Sequence, residues 1–346
     1  MSDDYLFDTT GEPDPDVARL EQMLGRLRTT TTAPALPVRL KPETTIGSVR
    51  LQADPALYAG VRFLLPALAA AAAIVLMVGL TWQRAMPAAS WDVAVIIGTP
   101  RIGGGALVGE GRIAVGQTLT TDASSRARIE VSDIGQVTID EATRVRLVET
   151  REGHHRLALD RGTLHAAIDA PPGQFVVSTP SATATDLGCV YSLHVNDDGS
   201  GMLSVEAGWV AFEERGRESF VPSGASSRTD RANGPGTPRY DDAGQAFRDA
   251  LDELDNGRDA RRKAASLRFV LDRARGRDAM TLWHLIPRVG GGDRAAVVDA
   301  LAARVPMPGT VSREAVLRLD RAALDQWWDT LGLDEASWWR KWKRPV

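Results

Sequence analysis

A single cysteine stands among the 346 residues, Cys189, within TATDLGCVYSLHVNDDGSGMLSVEAGWVAFEE, residues 183–214. A working thiol needs a base beside it and access to its target. At a period of two, Cys189, Tyr191, Leu193 and Val195 share one face of a strand, and Val190, Ser192 and His194 share the other. The nearest base, His194, is therefore on the wrong face, and Cys189 reads as a core residue without a partner. The NDDGSG that follows is turn chemistry, and Leu203 and Val205 resume the alternation, so the segment reads strand, turn, strand.

The other chemistry-bearing residues form no constellation. His154, His155, His165, His194 and His284 make no His-Glu-x-x-His motif, and His154 and His155 beside Gly153 are expected in a solvated turn. GTPRIGGGALVGEG is glycine-rich but lacks the Gly-Lys-Ser/Thr of a phosphate loop, and no Gly-x-Ser-x-Gly elbow occurs. The expectation is a non-enzymatic protein with no catalytic, cofactor-binding or metal residue and no cofactor.

The elements around these residues come from composition and pattern. With 43% hydrophobic and 25% charged residues, the chain has an ordinary globular composition and the length for two or three domains. A net charge of -4 argues against binding nucleic acid through whole-domain electrostatics. One cysteine excludes an internal disulfide and a cysteine-rich zinc site.

FLLPALAAAAAIVLMVGLTWQ, residues 63–83, holds no charge between Arg62 and Arg84. At the helical rise it spans roughly 31 Å, the thickness of a bilayer's hydrocarbon core, and is expected to be a transmembrane helix. Pro66 falls in its first turn, and Trp82 and Trp91 stand where an interfacial aromatic belt would lie. The run begins too far from residue 1 for a cleaved signal peptide, so it is a signal anchor. Flanking Arg50 and Arg62 nearly balance Arg84 and Arg101. The small N-terminal and large C-terminal portions favour a cytoplasmic N-terminus and an extracytoplasmic body.

Residues 1–28 are expected as a cytoplasmic segment with one amphipathic helix, capped by Asp14 with Pro15 at its first position. Its stripe of Val17, Leu20, Leu24 and Leu27 is a candidate partner-binding surface, since a helix this short gains stability by docking. Residues 29–62 are a Thr/Pro-rich linker. Residues 92–221 show short strands every 9 to 12 residues and are expected as an all-β domain, a sandwich, barrel or β-solenoid. Residues 222–240, PSGASSRTDRANGPGTPRY, are expected as a flexible linker.

Residues 241–346 switch to helical period and predict an all-α domain of five or six helices. Stripes run through Phe247, Leu251 and Leu254, then Leu267, Leu271 and Ala274, then Leu282, Leu285, Ile286 and Val289. The ending SWWRKWKRPV either packs its tryptophans on the bundle, near Trp327 and Trp328, or lies on a membrane or polymer.

GQTLTTDASSRARIEVSDIGQVTIDEATRVRLVE, LALDRGTLHAAI, FVVSTPSATATDLGCVYSLHV and MLSVEAGWVAFEE resemble, in order, the blocks of the FecR family of membrane-bound sigma-factor regulators. The resemblance spans roughly residues 92–225. Its motif positions here are Gly116, Arg161, Gly162, Leu187, Gly188, Cys189, Tyr191, Glu206 and Gly208, with Cys189 and Tyr191 where members usually carry Thr or Ser and Phe. The resemblance implies a single-pass protein of the bacterial inner membrane with a periplasmic sensor domain. Its cytoplasmic segment would bind an extracytoplasmic-function sigma factor. An alternative from the same residues is a periplasmic scaffold that holds an envelope protein or polymer.

Overall fold

The computed structural model describes residues 89–333. These residues fall within one compact unit. The candidate anchor 63–83, its flanks Arg62, Trp82 and Arg84, the stripe Val17, Leu20, Leu24 and Leu27, and the tail tryptophans lie outside the described residues. Among those described, no helix is long and apolar enough to cross a membrane.

Eighteen strands, β1 to β18 in chain order, run from β1 (Ser90–Ile97) to β18 (Arg239–Tyr240) and join in one hydrogen-bonded network. The fifteen-residue β9 (His154–Ile168) divides that network into two sheets. Its first half pairs with β8 (Arg144–Arg151) and, in parallel, with β10 (Phe175–Ser178). Its second half pairs with β7 (Gly135–Ile139) and β12 (Cys189–Val195). Strand corners of this kind let one chain segment serve two sheets.

The alternation that predicts the strands also builds the core. β6 (Arg126–Val131) sends Ala127, Ile129 and Val131 inward and leaves Arg128 and Glu130 outside. β12 buries Cys189, Tyr191, Leu193 and Val195 and turns Val190 and His194 out. The inward faces of both sheets contribute to one hydrophobic cluster, which continues into the helices. The architecture is a two-sheet β domain sharing one core, followed by a helical region.

The β region extends beyond its expected end, and the expected linker at 222–240 is not one. Arg217–Pro222 forms β15, Ala225–Asp230 forms β16 and Gly234–Pro235 forms β17, ahead of β18. β16 pairs with β13 (Gly201–Ala207), and Ala225, Ser227, Thr229, Thr237 and Arg239 are buried. The Gly, Pro and Ser that suggest a linker serve as tight turns, and small side chains fit under the helices.

Six α-helices follow: α1 (Gln245–Asn256), α2 (Ala260–Arg273), α3 (Ala279–Leu285), α4 (Gly291–Ala302), α5 (Arg313–Leu317) and α6 (Arg321–Trp328). Side-chain caps start three of them. Asp259 accepts from the amides of Arg261 and Arg262, Ser312 from that of Ala315 and Asp320 from that of Ala323. The inward stripe of α2 is Leu267 and Val270, with Leu271 only half-buried. All seven residues of α3 are buried, so it is the central helix.

Candidate functional site

Most family-motif positions fall at three turns and at the corner within β9, with Tyr191 inside β12. Gly116 sits in the turn between β4 (Glu110–Ala114) and β5 (Thr118–Thr120). Arg161 and Gly162 stand at the point where β9 passes from one sheet to the other, with Arg161 opposite Arg144 and Gly162 opposite Val195. Gly162 has φ +89°, and a Cβ there would lie 2.2 Å from Thr143 Oγ1. That hydroxyl accepts the Thr163 amide, so the corner leaves room only for glycine. Arg161 is exposed, 3.7 Å from Asp197, and such a pair adds little.

Leu187 and Gly188 turn the chain from β11 (Thr183–Asp186) into β12, and Gly208 turns it from β13 into β14 (Trp209–Glu214). The two turns press on each other: a Cβ on Gly208 would meet the Gly188 carbonyl oxygen at 2.1 Å. The Leu187 amide donates to the Trp209 carbonyl at 3.2 Å. Glu206 is exposed, and its carbonyl accepts from the Ser223 hydroxyl at 2.7 Å.

Cys189 is buried and has a partner after all. Its thiol donates to Asp186 Oδ2 at 2.9 Å, while Asp186 Oδ1 accepts the Gly188 amide at 2.7 Å. Burial, together with the neighbouring Asp186 carboxylate, pushes the thiol far above its ordinary range. A neutral thiol is a poor nucleophile, so the structure gives Cys189 a packing role. The partner is invisible in a period-two reading because Asp186 belongs to the preceding strand.

The histidines divide differently from expectation. The turn after β8 consists of Glu152 and Gly153 alone, so the alternation restarts at once, with His154 exposed and His155 buried. Trp91 Nε1 donates to Thr150 Oγ1 at 2.8 Å, and that hydroxyl lies 3.0 Å from His155 Nδ1. Burial moves the His155 pKa down. His284 is buried on α3, where its Nδ1 lies 2.8 Å from the Met280 carbonyl and its Nε2 accepts the Phe220 amide at 3.0 Å. Those two contacts fix the neutral tautomer with its proton on Nδ1.

His284 belongs to the junction between the β domain and the helices. Arg288, in the turn after α3, is its hub. One nitrogen donates to Thr237 Oγ1 at 3.1 Å and the Pro235 carbonyl at 3.3 Å, and the other to Ser219 Oγ at 2.7 Å and the Glu218 carbonyl at 3.0 Å. Asp255 of α1 lies 3.4 Å away, accepts the Thr237 amide at 2.6 Å and pairs with Arg217 of β15. Burial pulls the Arg288 pKa down to about 10, against the opposing pull of Asp255. Beside this network Trp328 of α6 meets Trp209, Phe220 and Trp283, with ring centroids 6.3, 5.7 and 4.8 Å away. A cleft of about 620 Å³ opens here, lined by Phe220, Trp283, Leu324, Arg217, Arg288 and Arg321 among others.

The fold and this junction define a β domain packed against a helical cap. Its β portion has a family: the model for FecR protein matches residues 117–211, from β5 into β14, so the chain carries a FecR domain. Two crystal structures of a candidate anti-sigma factor from Parabacteroides distasonis, at 1.65 and 2.50 Å resolution, are similar over 36% of this chain at 17% identity and TM-score 0.33. The alignment spans 60% of the length of that protein. No curated protein matches the chain.

Arg288, Asp255, His284 and Arg217 escape a sequence reading. They come from three separate segments of the chain, and none sits in a motif. Among the described residues no group of three or more His, Cys, Asp or Glu could hold a metal ion.

Proposed function

We propose that this chain is a FecR-type signalling regulator anchored by residues 63–83, with its β and helical domains outside the cytoplasm and residues 1–62 as the cytoplasmic output. The observation that carries the reading is the FecR domain at 117–211, whose glycine corners account for the family motif. The 21 uncharged residues ahead of it supply the anchor, and the stripe Val17, Leu20, Leu24 and Leu27 supplies a docking surface for a sigma factor. The junction makes the helical domain a rigid extension of the sensor, so a ligand on either reaches the other through packed contacts.

The test is co-purification. Residues 1–62 used as bait against the extracytoplasmic-function sigma factors of the source bacterium should retain one of them. Retention of none, with the bait intact, removes the regulator reading and favours a scaffold built on the aromatic cleft.

A further inference from the structure

The corner that joins β11 to β12 holds a buried acid with no ion-pair partner among the described residues. Asp186 is 2% exposed. Its carboxylate accepts from the Gly188 amide at 2.7 Å and the Cys189 thiol at 2.9 Å, and the thiol is a weak donor; the Cys189 amide also acts on it. The titratable groups that face it, Cys189 and Tyr191, both come from β12. In the ladders around this corner β14 sets Val210 opposite Asp186 and β9 sets Ile168 opposite Cys189, and neither carries a charge. The Tyr191 hydroxyl is buried without a hydrogen-bond partner and feels the Asp186 charge.

We propose that Asp186 is a proton-binding site through which the FecR domain senses acidity. The carboxylate takes one proton from solvent and forms one O–H bond, and no other bond changes. Burial drives the uptake: it disfavours the charged form and raises the carboxyl pKa from 3.8 to about 6, against the opposing pull of hydrogen bonds from the Cys189 thiol and the Gly188 and Cys189 amides. Two other buried carboxylates differ in kind. Asp255 meets two arginines and Asp278 meets Arg275.

The position gives the proton a route to the rest of the molecule. Asp186 holds the Gly188 amide, the Gly188 carbonyl abuts Gly208, and Leu187 donates to Trp209. Trp209 meets Trp328 of the helical cap edge-on. The charge state of one carboxyl thus bears on the corner that faces the junction.

The sign follows from linkage. A carboxyl whose folded pKa is raised binds a proton in the folded state at pH values where the unfolded chain has released it, so folding strengthens as pH falls through 6. The experiment uses the full chain in detergent, with urea unfolding at pH 7.5 and pH 5 and ¹³C-carboxyl titration of labelled aspartate. One aspartate signal should titrate near pH 6 and vanish in Asp186→Asn. The unfolding constant of the wild type should fall on the order of tenfold between pH 7.5 and pH 5 relative to that variant. Should Asp186→Asn not fold, Asp186→Ser serves in its place, since it too removes the carboxyl. Titration of every aspartate below pH 5, or equal pH dependence in wild type and variant, overturns the proposal. Neither readout involves a sigma factor, so the outcome is separate from that of the co-purification.

Discussion

Arg288 and Asp255 approach to 3.4 Å across the junction of the β domain and the helices, and both are buried. A buried ion pair is a weak source of net stability, yet removing one member strands the other. Asp255→Ala leaves the Arg217 and Arg288 guanidiniums facing each other without their carboxylate. It should cost about 3–5 kcal/mol in urea unfolding. Arg288→Met should cost less, because Asp255 keeps Arg217 and Thr237 as partners. Equal costs for the two variants would mean that Asp255 is not the common acceptor.

Cys189 gives a second contrast. With Asp186 as its acceptor, a serine hydroxyl at 189 finds a ready partner, so Cys189→Ser should be nearly neutral. That differs from the loss expected for a hydroxyl set in a wholly apolar site. Cys189→Ala removes the side-chain donor to a buried carboxylate and should cost about 1–3 kcal/mol. Thermal melts of both variants read the difference, and the native thiol should resist labelling.

Gly208 and Gly188 test the turn contact. Gly208→Ala combines φ +74° with a methyl group 2.1 Å from the Gly188 carbonyl oxygen. Both the strain and the clash act on the folded state, so the variant should lose several kcal/mol or fail to fold. Gly216→Ala is the control. It shares the positive φ, at +79°, but its Cβ would meet nothing within 4 Å, so it should lose only about 1 kcal/mol. Equal melting points would show that the Gly188–Gly208 contact is not close.

How much of this was legible in the sequence depends on the range of each interaction. The inward set of β12 follows from a period of two, because side chains on a strand alternate whatever lies beneath them. The family motif was legible for the same local reason, since Gly162, Gly188 and Gly208 mark turns that each depend on a few residues. The end of the β region was not. PSGASSRTDRANGPGTPRY is a linker by composition, and only burial under the helices makes strands of it. His155 shows how a turn that ends two residues sooner than expected moves a side chain from solvent into the core. The junction was illegible altogether, since Arg217, Asp255 and Arg288 meet only after three separate segments have folded.

The proposed anchor makes a prediction about sidedness. A reporter active only in the periplasm, fused after Val346, should be active, and a cytoplasm-only reporter fused there should be silent. The reverse result would place the FecR domain in the cytoplasm and end its proposed role as an external sensor.

The proposed output makes the last. Leu20 and Leu24 lie one helical turn apart on the stripe that also holds Val17 and Leu27, and a helix of this length is marginal alone, so docking supplies its stability. Leu20→Asp with Leu24→Asp would set two carboxylates in a groove built for leucine, and burying a charge without a partner is far costlier than losing a leucine contact. The FecR domain holds neither residue, so its fold and the amount of protein should not change. Transcription from the sigma factor's promoters should change, and the factor should no longer co-purify with the chain. If both readouts match the wild type at equal protein level, the stripe is not the output surface, and any sigma-factor contact must be sought elsewhere in residues 1–62.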